Sequence, residues 1–110
     1  NMRCSDVRAV LAAAILLAAI RGAEAQPESI RARFACNDGK SIDVTFVNGP
    51  KSSVALVLSD GRKLTLPQAR SASGARYANA NESFVFWNKG DTAFIEENGK
   101  TTYDGCSTKR

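Results

Sequence analysis

The chain contains no histidine. That removes the commonest general base and the commonest neutral metal ligand, so triad-type nucleophilic catalysis and metal-assisted hydrolysis lack their parts. Cysteine is scarce, at Cys4, Cys36 and Cys106, and thiolates with no other soft ligand make a poor zinc site. Long apolar runs are missing too. The run from Val10 to Ile20 is far too short to cross a bilayer. After residue 25 no stretch has helical periodicity, and Lys and Arg are spread singly rather than gathered on a face, which argues against a nucleic-acid binder. No cofactor motif is present. These absences leave a non-enzymatic, all-β reading.

What is present begins with a leader. Met2, Arg3 and Arg8 precede the apolar run, and Ala23-Glu24-Ala25 follows it with small residues spaced for cleavage, the pattern of a secretory signal peptide. Residues 1–25 are therefore expected to leave, with an uncleaved amphipathic anchor as the alternative. Residues 26–110 would form the domain, with twelve Lys plus Arg against nine Asp plus Glu and a net charge of +3. Cys4 leaves with the leader. Cys36 and Cys106 remain in a chain addressed to an oxidising compartment, which predicts a disulfide between them. Such a bridge closes about 70 residues and contributes roughly 4 kcal/mol in chain-entropy terms, a large share for so small a domain.

The body alternates with period two. Ile30, Ala32, Phe34 and Cys36 share one face, and Ile42, Val44 and Phe46 return after the turn Asn37-Asp38-Gly39-Lys40. Asn48-Gly49-Pro50 leads into Val54–Leu58, and Asp60-Gly61 into Lys63–Leu66, with Pro67 expected to end that strand. A short strand around Tyr77 follows, then Phe84–Trp87, Thr92–Glu96 and Thr101–Cys106. Seven to eight short strands predict a small antiparallel β-barrel whose first and last strands are tied by the disulfide. The interior of such a barrel is filled by side chains, so function belongs to loops. Phe84 to Trp87 is apolar on both faces, and Trp87 reads as core or loop support before contact surface. Glu96 and Glu97 read as an exposed acidic pair on opposite faces of a strand, unable to flank one bond.

The most informative stretch runs from Ser71 to Gly90. Small residues from Ser71 to Ala75 cannot build a core, and Gly74 permits a positive φ and close backbone approach. Asn88-Lys89-Gly90 is a turn signal. One loop thus offers a hydroxyl at Ser73 and a neighbouring turn an ammonium at Lys89. Taken alone, each has a plainer reading as a loop serine bonding its own backbone and a solvated hairpin lysine.

The pairing of Ser-Gly-Ala-Arg-Tyr (residues 73–77) with Trp-Asn-Lys-Gly (residues 87–90), framed by Phe-Ala-Cys-Asn-Asp-Gly and Tyr103-Asp-Gly-Cys106, resembles the C-type lysozyme inhibitor family of bacterial envelopes. The resemblance covers roughly residues 34–106. It implies a periplasmic inhibitor whose partner is a C-type lysozyme, binding through Ser73, Gly74, Arg76, Tyr77, Lys89 and Gly90, with Ser73 and Lys89 meeting the catalytic carboxyl groups in the enzyme's cleft. The residues themselves call for no cofactor, no metal, no nucleic acid and no membrane span. The second reading is a passive module that binds envelope glycan or peptide through Trp87 and Tyr77.

Overall fold

The computed structural model describes residues 28–109, so the expected leader, residues 1–25, lies outside the described residues. Eight strands follow in chain order: β1 (Glu28–Ala35), β2 (Ser41–Asn48), β3 (Ser53–Leu58), β4 (Lys63–Ala69), β5 (Ala75–Ala78), β6 (Phe84–Lys89), β7 (Thr92–Glu97) and β8 (Lys100–Ser107). Each pairs antiparallel with the next, and β8 returns to β1 to close a barrel. A single 3-10 turn, Asn37–Gly39, joins β1 to β2.

Register follows from the alternation. Phe34 faces Ile42 and Ala32 faces Val44 across β1–β2, while Val44 faces Leu56 and Phe46 faces Val54 across β2–β3. The same inward row continues as Val54 opposite Leu66 in β4. These side chains meet in the middle, where Phe34, Ile42, Leu56, Leu66, Phe86 and Ile95 are fully buried. The rings of Phe34, Phe46 and Tyr77 all lie 6.0–6.3 Å from the ring of Phe86 or from each other. Such tilted and edge-on contacts suit aromatic quadrupoles. Burying each of these large side chains is worth about 1.5–3 kcal/mol, and they fill the barrel completely enough that its surface, not its interior, must meet other molecules.

Three expectations need correction. Pro67 lies inside β4 rather than ending it. It is the last residue of that strand paired to β3, opposite Ser53, and Gln68 and Ala69 then pair with β5. A residue with no N–H suits a place where the ladder changes partners. Ile30, on the inward row by alternation, is 47% exposed, because β8 meets β1 only at the pair Ala35–Ser107 and leaves the first half of β1 uncovered by it. Glu96 and Glu97 are half-buried, not exposed. Glu97 is held by a bidentate Arg62 at 2.8 and 3.0 Å and by the Thr102 hydroxyl at 2.7 Å.

The seam is fastened otherwise than by a long ladder. Cys36 and Cys106 form the expected disulfide beside that single strand pair. The Lys40 ammonium donates to the Thr102 carbonyl at 2.6 Å, and the Asn37 amide to the Asp104 carboxylate at 3.3 Å. Both bonds tie the β1–β2 connection to β8. Phe84, Val85 and Phe86 are all buried, as a strand apolar on both faces requires, and Trp87 is half-buried on the outer face.

Candidate functional site

The connections β2–β3, β4–β5 and β6–β7 all leave the same end of the barrel, by alternation of the hairpins. The β4–β5 loop and the β6–β7 turn at that end carry Ser73 and Lys89.

Local chemistry shapes the loop. The Ser71 hydroxyl donates to the Ser73 carbonyl and accepts from the Ser73 N–H at 3.3 Å, a serine turn of the kind that competes with regular structure. Gly74 follows at φ +68°, and a Cβ built there would stand 2.7 Å from the Asn88 carbonyl oxygen and 2.7 Å from the Lys89 Cγ. The loop is therefore laid directly on the end of β6. Only glycine permits both the dihedral and the approach. Ala75 then pairs with Asn88 and begins β5.

The turn is pinned by its own side chains. Gly90 takes φ +59° at the first of the two residues between β6 and β7, which is where a two-residue hairpin loop of the type II′ class needs glycine. The Asn88 amide donates to the carbonyls of Gly90 at 3.0 Å and Thr92 at 2.9 Å, and the Thr92 hydroxyl to the Lys89 carbonyl at 2.9 Å. The Asp91 carboxylate pairs with Lys109 at 3.2 Å, and its backbone carbonyl accepts the Thr108 N–H at 3.0 Å. Lys89 is exposed, and its ammonium lies 5.5 Å from the centroid of the Trp87 ring. It has no carboxylate partner among the described residues.

Trp87 sits between these arms. It faces Arg76 across β5–β6 and Phe94 across β6–β7, so the three form one outward row. The Trp87 and Phe94 rings stack at 5.7 Å, and the Arg76 guanidinium lies 5.6 Å from the indole centroid. The indole N–H donates to the Ser73 carbonyl at 3.1 Å. Arg76 is turned away from solvent, with a side chain only 17% exposed, paired to Glu82 and donating to the Arg70 carbonyl at 3.4 Å.

Of the residues singled out in the sequence, Ser73, Gly74, Lys89 and Gly90 come together on one exposed surface, with the Ser73 hydroxyl unbonded among the described residues. Arg76 lies beneath them. Tyr77 is not surface: at 4% exposure its ring packs in the core against Phe46 and Phe86, and burial pushes its phenol above the ordinary value. It faces inward because it is the next residue after outward-facing Arg76 on a strand. Sequence reasoning missed Phe94, although an apolar residue at an outward position of β7 was a signal, and the Arg76–Glu82 pair, for which the sequence held none. Among the described residues no group of three or more His, Cys, Asp or Glu is placed to hold a metal. The site offers a hydroxyl and an ammonium on a rigid mount, with no base beside the hydroxyl. It is equipped to bind a group that takes hydrogen bonds and negative charge.

The chain is similar to known proteins over most of its length. A family model described as membrane-bound lysozyme-inhibitor of c-type lysozyme matches residues 34–104. A membrane-bound lysozyme inhibitor of C-type lysozyme from Yersinia enterocolitica is 35% identical over 98 residues, which is 89% of this chain and 80% of that protein. A protein of the same name from Cupriavidus necator is 28% identical over 120 residues, covering 98% of this chain and 94% of its own length. The crystal structure of Pseudomonas aeruginosa MliC in complex with hen egg white lysozyme matches with a TM-score of 0.62 at 27% identity, over 76% of this chain and 85% of that one.

Proposed function

The chain belongs to the family of membrane-bound lysozyme inhibitors of C-type lysozyme, and from that membership we propose that it inhibits a C-type lysozyme in the bacterial envelope by placing the Ser73 loop and the Lys89 turn in the enzyme's active-site cleft. The observation that carries this reading is the contact of Gly74 with the Asn88 carbonyl, which joins the two arms into one protrusion bearing an unbonded hydroxyl and an uncompensated ammonium. C-type lysozyme works with two carboxyl groups, one kept protonated and one ionised. A hydroxyl can donate to or accept from a carboxyl in either state, and an ammonium favours the ionised one. Hydrogen bonds to a charged partner are about twice as strong as neutral ones. Because the domain and the enzyme class are both basic, overall steering does not help, and local complementarity at this protrusion must supply recognition.

The mode is inhibition without catalysis, acting from the periplasmic side after loss of residues 1–25. Against the glycan-binding alternative stands the placement of the aromatic residues: Tyr77 is in the core, and the Trp87 ring is stacked on Phe94 with the Arg76 and Lys89 cations 5.6 and 5.5 Å from its centroid, so neither offers an open stacking face. Titration of the purified protein into a cell-wall clearing assay tests the reading. Stoichiometric loss of C-type lysozyme turnover, with a goose-type enzyme unaffected, is the expected result. Retention of peptidoglycan with lysozyme still active would favour the glycan module.

A further inference from the structure

The two arms share a single side chain. The Trp87 N–H is bonded to the Ser73 carbonyl at 3.1 Å, and the Lys89 ammonium lies over the same ring at 5.5 Å. The indole itself is fixed from outside the arms, by the Phe94 stack at 5.7 Å and by Arg76 at 5.6 Å, whose guanidinium is in turn held by Glu82. Trp87 is also the one tryptophan of the sequence. We propose that Trp87 is a positioning residue of the lysozyme-binding site, setting the spacing of Ser73 and Lys89 through its N–H and its ring face without itself touching the enzyme. This rests on the proposed function above.

The reasoning is one of preorganisation. The residues from Ser71 to Gly74 lie outside any strand, and their contacts to the rest of the molecule are few: the Gly74 approach to β6 and the indole bond. Holding a loop in its bound shape before encounter reduces the ordering cost of association. Losing that hold leaves the hydroxyl and ammonium present but variably spaced, which shortens the life of the complex more than it slows its formation. A cation over an indole face is attracted by the ring quadrupole, so the same group that anchors the loop restrains the lysine.

The test uses the intact protein and four substitutions. Trp87→Phe keeps an aromatic ring to stack on Phe94 while losing the N–H and part of the ring area. Inhibition of C-type lysozyme should weaken roughly ten-fold, the scale of one lost hydrogen bond, with the dissociation rate carrying most of the change. Ser73→Ala should cost clearly less in the Trp87→Phe background than in the parent, because a loop that is no longer positioned has less to lose; independent sites would add. Trp87→Leu, which also removes the ring face, should weaken the Lys89→Ala effect in the same way. A Trp87→Phe protein that inhibits as the parent does, or whose effect adds fully to Ser73→Ala, overturns the proposal. Amide exchange on the free protein reads the loop independently of any enzyme: Trp87→Phe should accelerate exchange at Ser73 to Ala75 while Ile42 and Phe86 stay protected, and equal exchange likewise overturns it. A parent that leaves lysozyme active is seen in the parent titration alone and removes the functional reading instead.

Discussion

Gly74 has no room for a side chain, and the obstruction is backbone, the Asn88 carbonyl. Gly74→Ala must therefore lift the loop from β6 or force a left-handed alanine, and either change separates Ser73 from Lys89. Inhibition is expected to fall at least ten-fold with little change in melting temperature, since the residue is exposed and the core is untouched. Isothermal calorimetry against lysozyme, beside a thermal melt, checks both halves. Lys89→Ala should be costlier still, by tens-fold or more, because truncating one partner of a desolvated charge pair costs about 2–5 kcal/mol and about 1.4 kcal/mol is tenfold in affinity. Parent-like inhibition by Lys89→Ala would reduce the ammonium to surface decoration. At this scale the sequence was informative wherever a residue type is itself the constraint. Gly74 and Gly90 announce positive φ, and Ser73 and Lys89 stand in motifs. It was silent about Arg76–Glu82 and the indole bond, which depend on where a side chain points after two strands have paired.

Strands were legible because alternation is a direct consequence of the pleat. The eight strands stand at the segments where seven to eight were expected, although β4 runs on past Pro67 and β6 is apolar on both faces rather than alternating. What the pattern missed was pairing that changes along a strand, as at Pro67, and polar groups drawn into contact by neighbouring hairpins. The β3–β4 hairpin and the end of β7 are clasped in this way: Arg62 reaches Glu97 at 2.8 Å and Asp60 at 2.9 Å, and its guanidinium lies 5.8 Å from the Phe84 ring. Hydrogen bonding to Arg62 holds the Glu97 carboxyl below the usual range and pushes the guanidinium up, while the Arg62 backbone N–H does most to lower Asp60. A carboxyl whose pKa is depressed on folding contributes stability that is present above its unfolded value, about 4.3 for Glu, and is lost as pH falls through the folded one. The parent should thus lose melting temperature on acidification below about pH 5, and Glu97→Gln should flatten that limb while retaining the part due to Asp60. Superimposable acid limbs would show that the clasp does not couple folding to pH. The site end of the barrel carries neither group, so inhibition measured at neutral pH should be unchanged.

For the molecule as a whole the weak place is the seam. Seven strand pairs have ladders of two or more residues, whereas β1 and β8 share only Ala35–Ser107. The Cys36–Cys106 bond stands beside that pair and spans a sequence separation of 70, so it does for closure what hydrogen bonds do elsewhere. Cysteine count and compartment made the bond predictable; the shortness of the ladder it replaces was not, because the stagger of a closed barrel is set jointly by all eight strands. A Cys36→Ala, Cys106→Ala protein should lose roughly 4 kcal/mol of stability by the loop-entropy argument, which for a domain of this size lowers the melting temperature by about 15–30 °C. Function should respond differently. The Gly74 contact, the indole bond and the Asn88 bonds that pin the turn lie within β5, β6, the first residue of β7 and their connections, none of which crosses the seam. Only Asp91, through Thr108 and Lys109, touches the residues that follow Ser107. Well below its transition the variant should therefore inhibit lysozyme within a few-fold of the parent, and its affinity should collapse only as the melt begins. Parent-like melting would mean that Lys40, Asn37 and the core close the barrel unaided. Weak inhibition by the fully folded variant would mean that the seam sets the geometry of the site as well as the stability of the barrel.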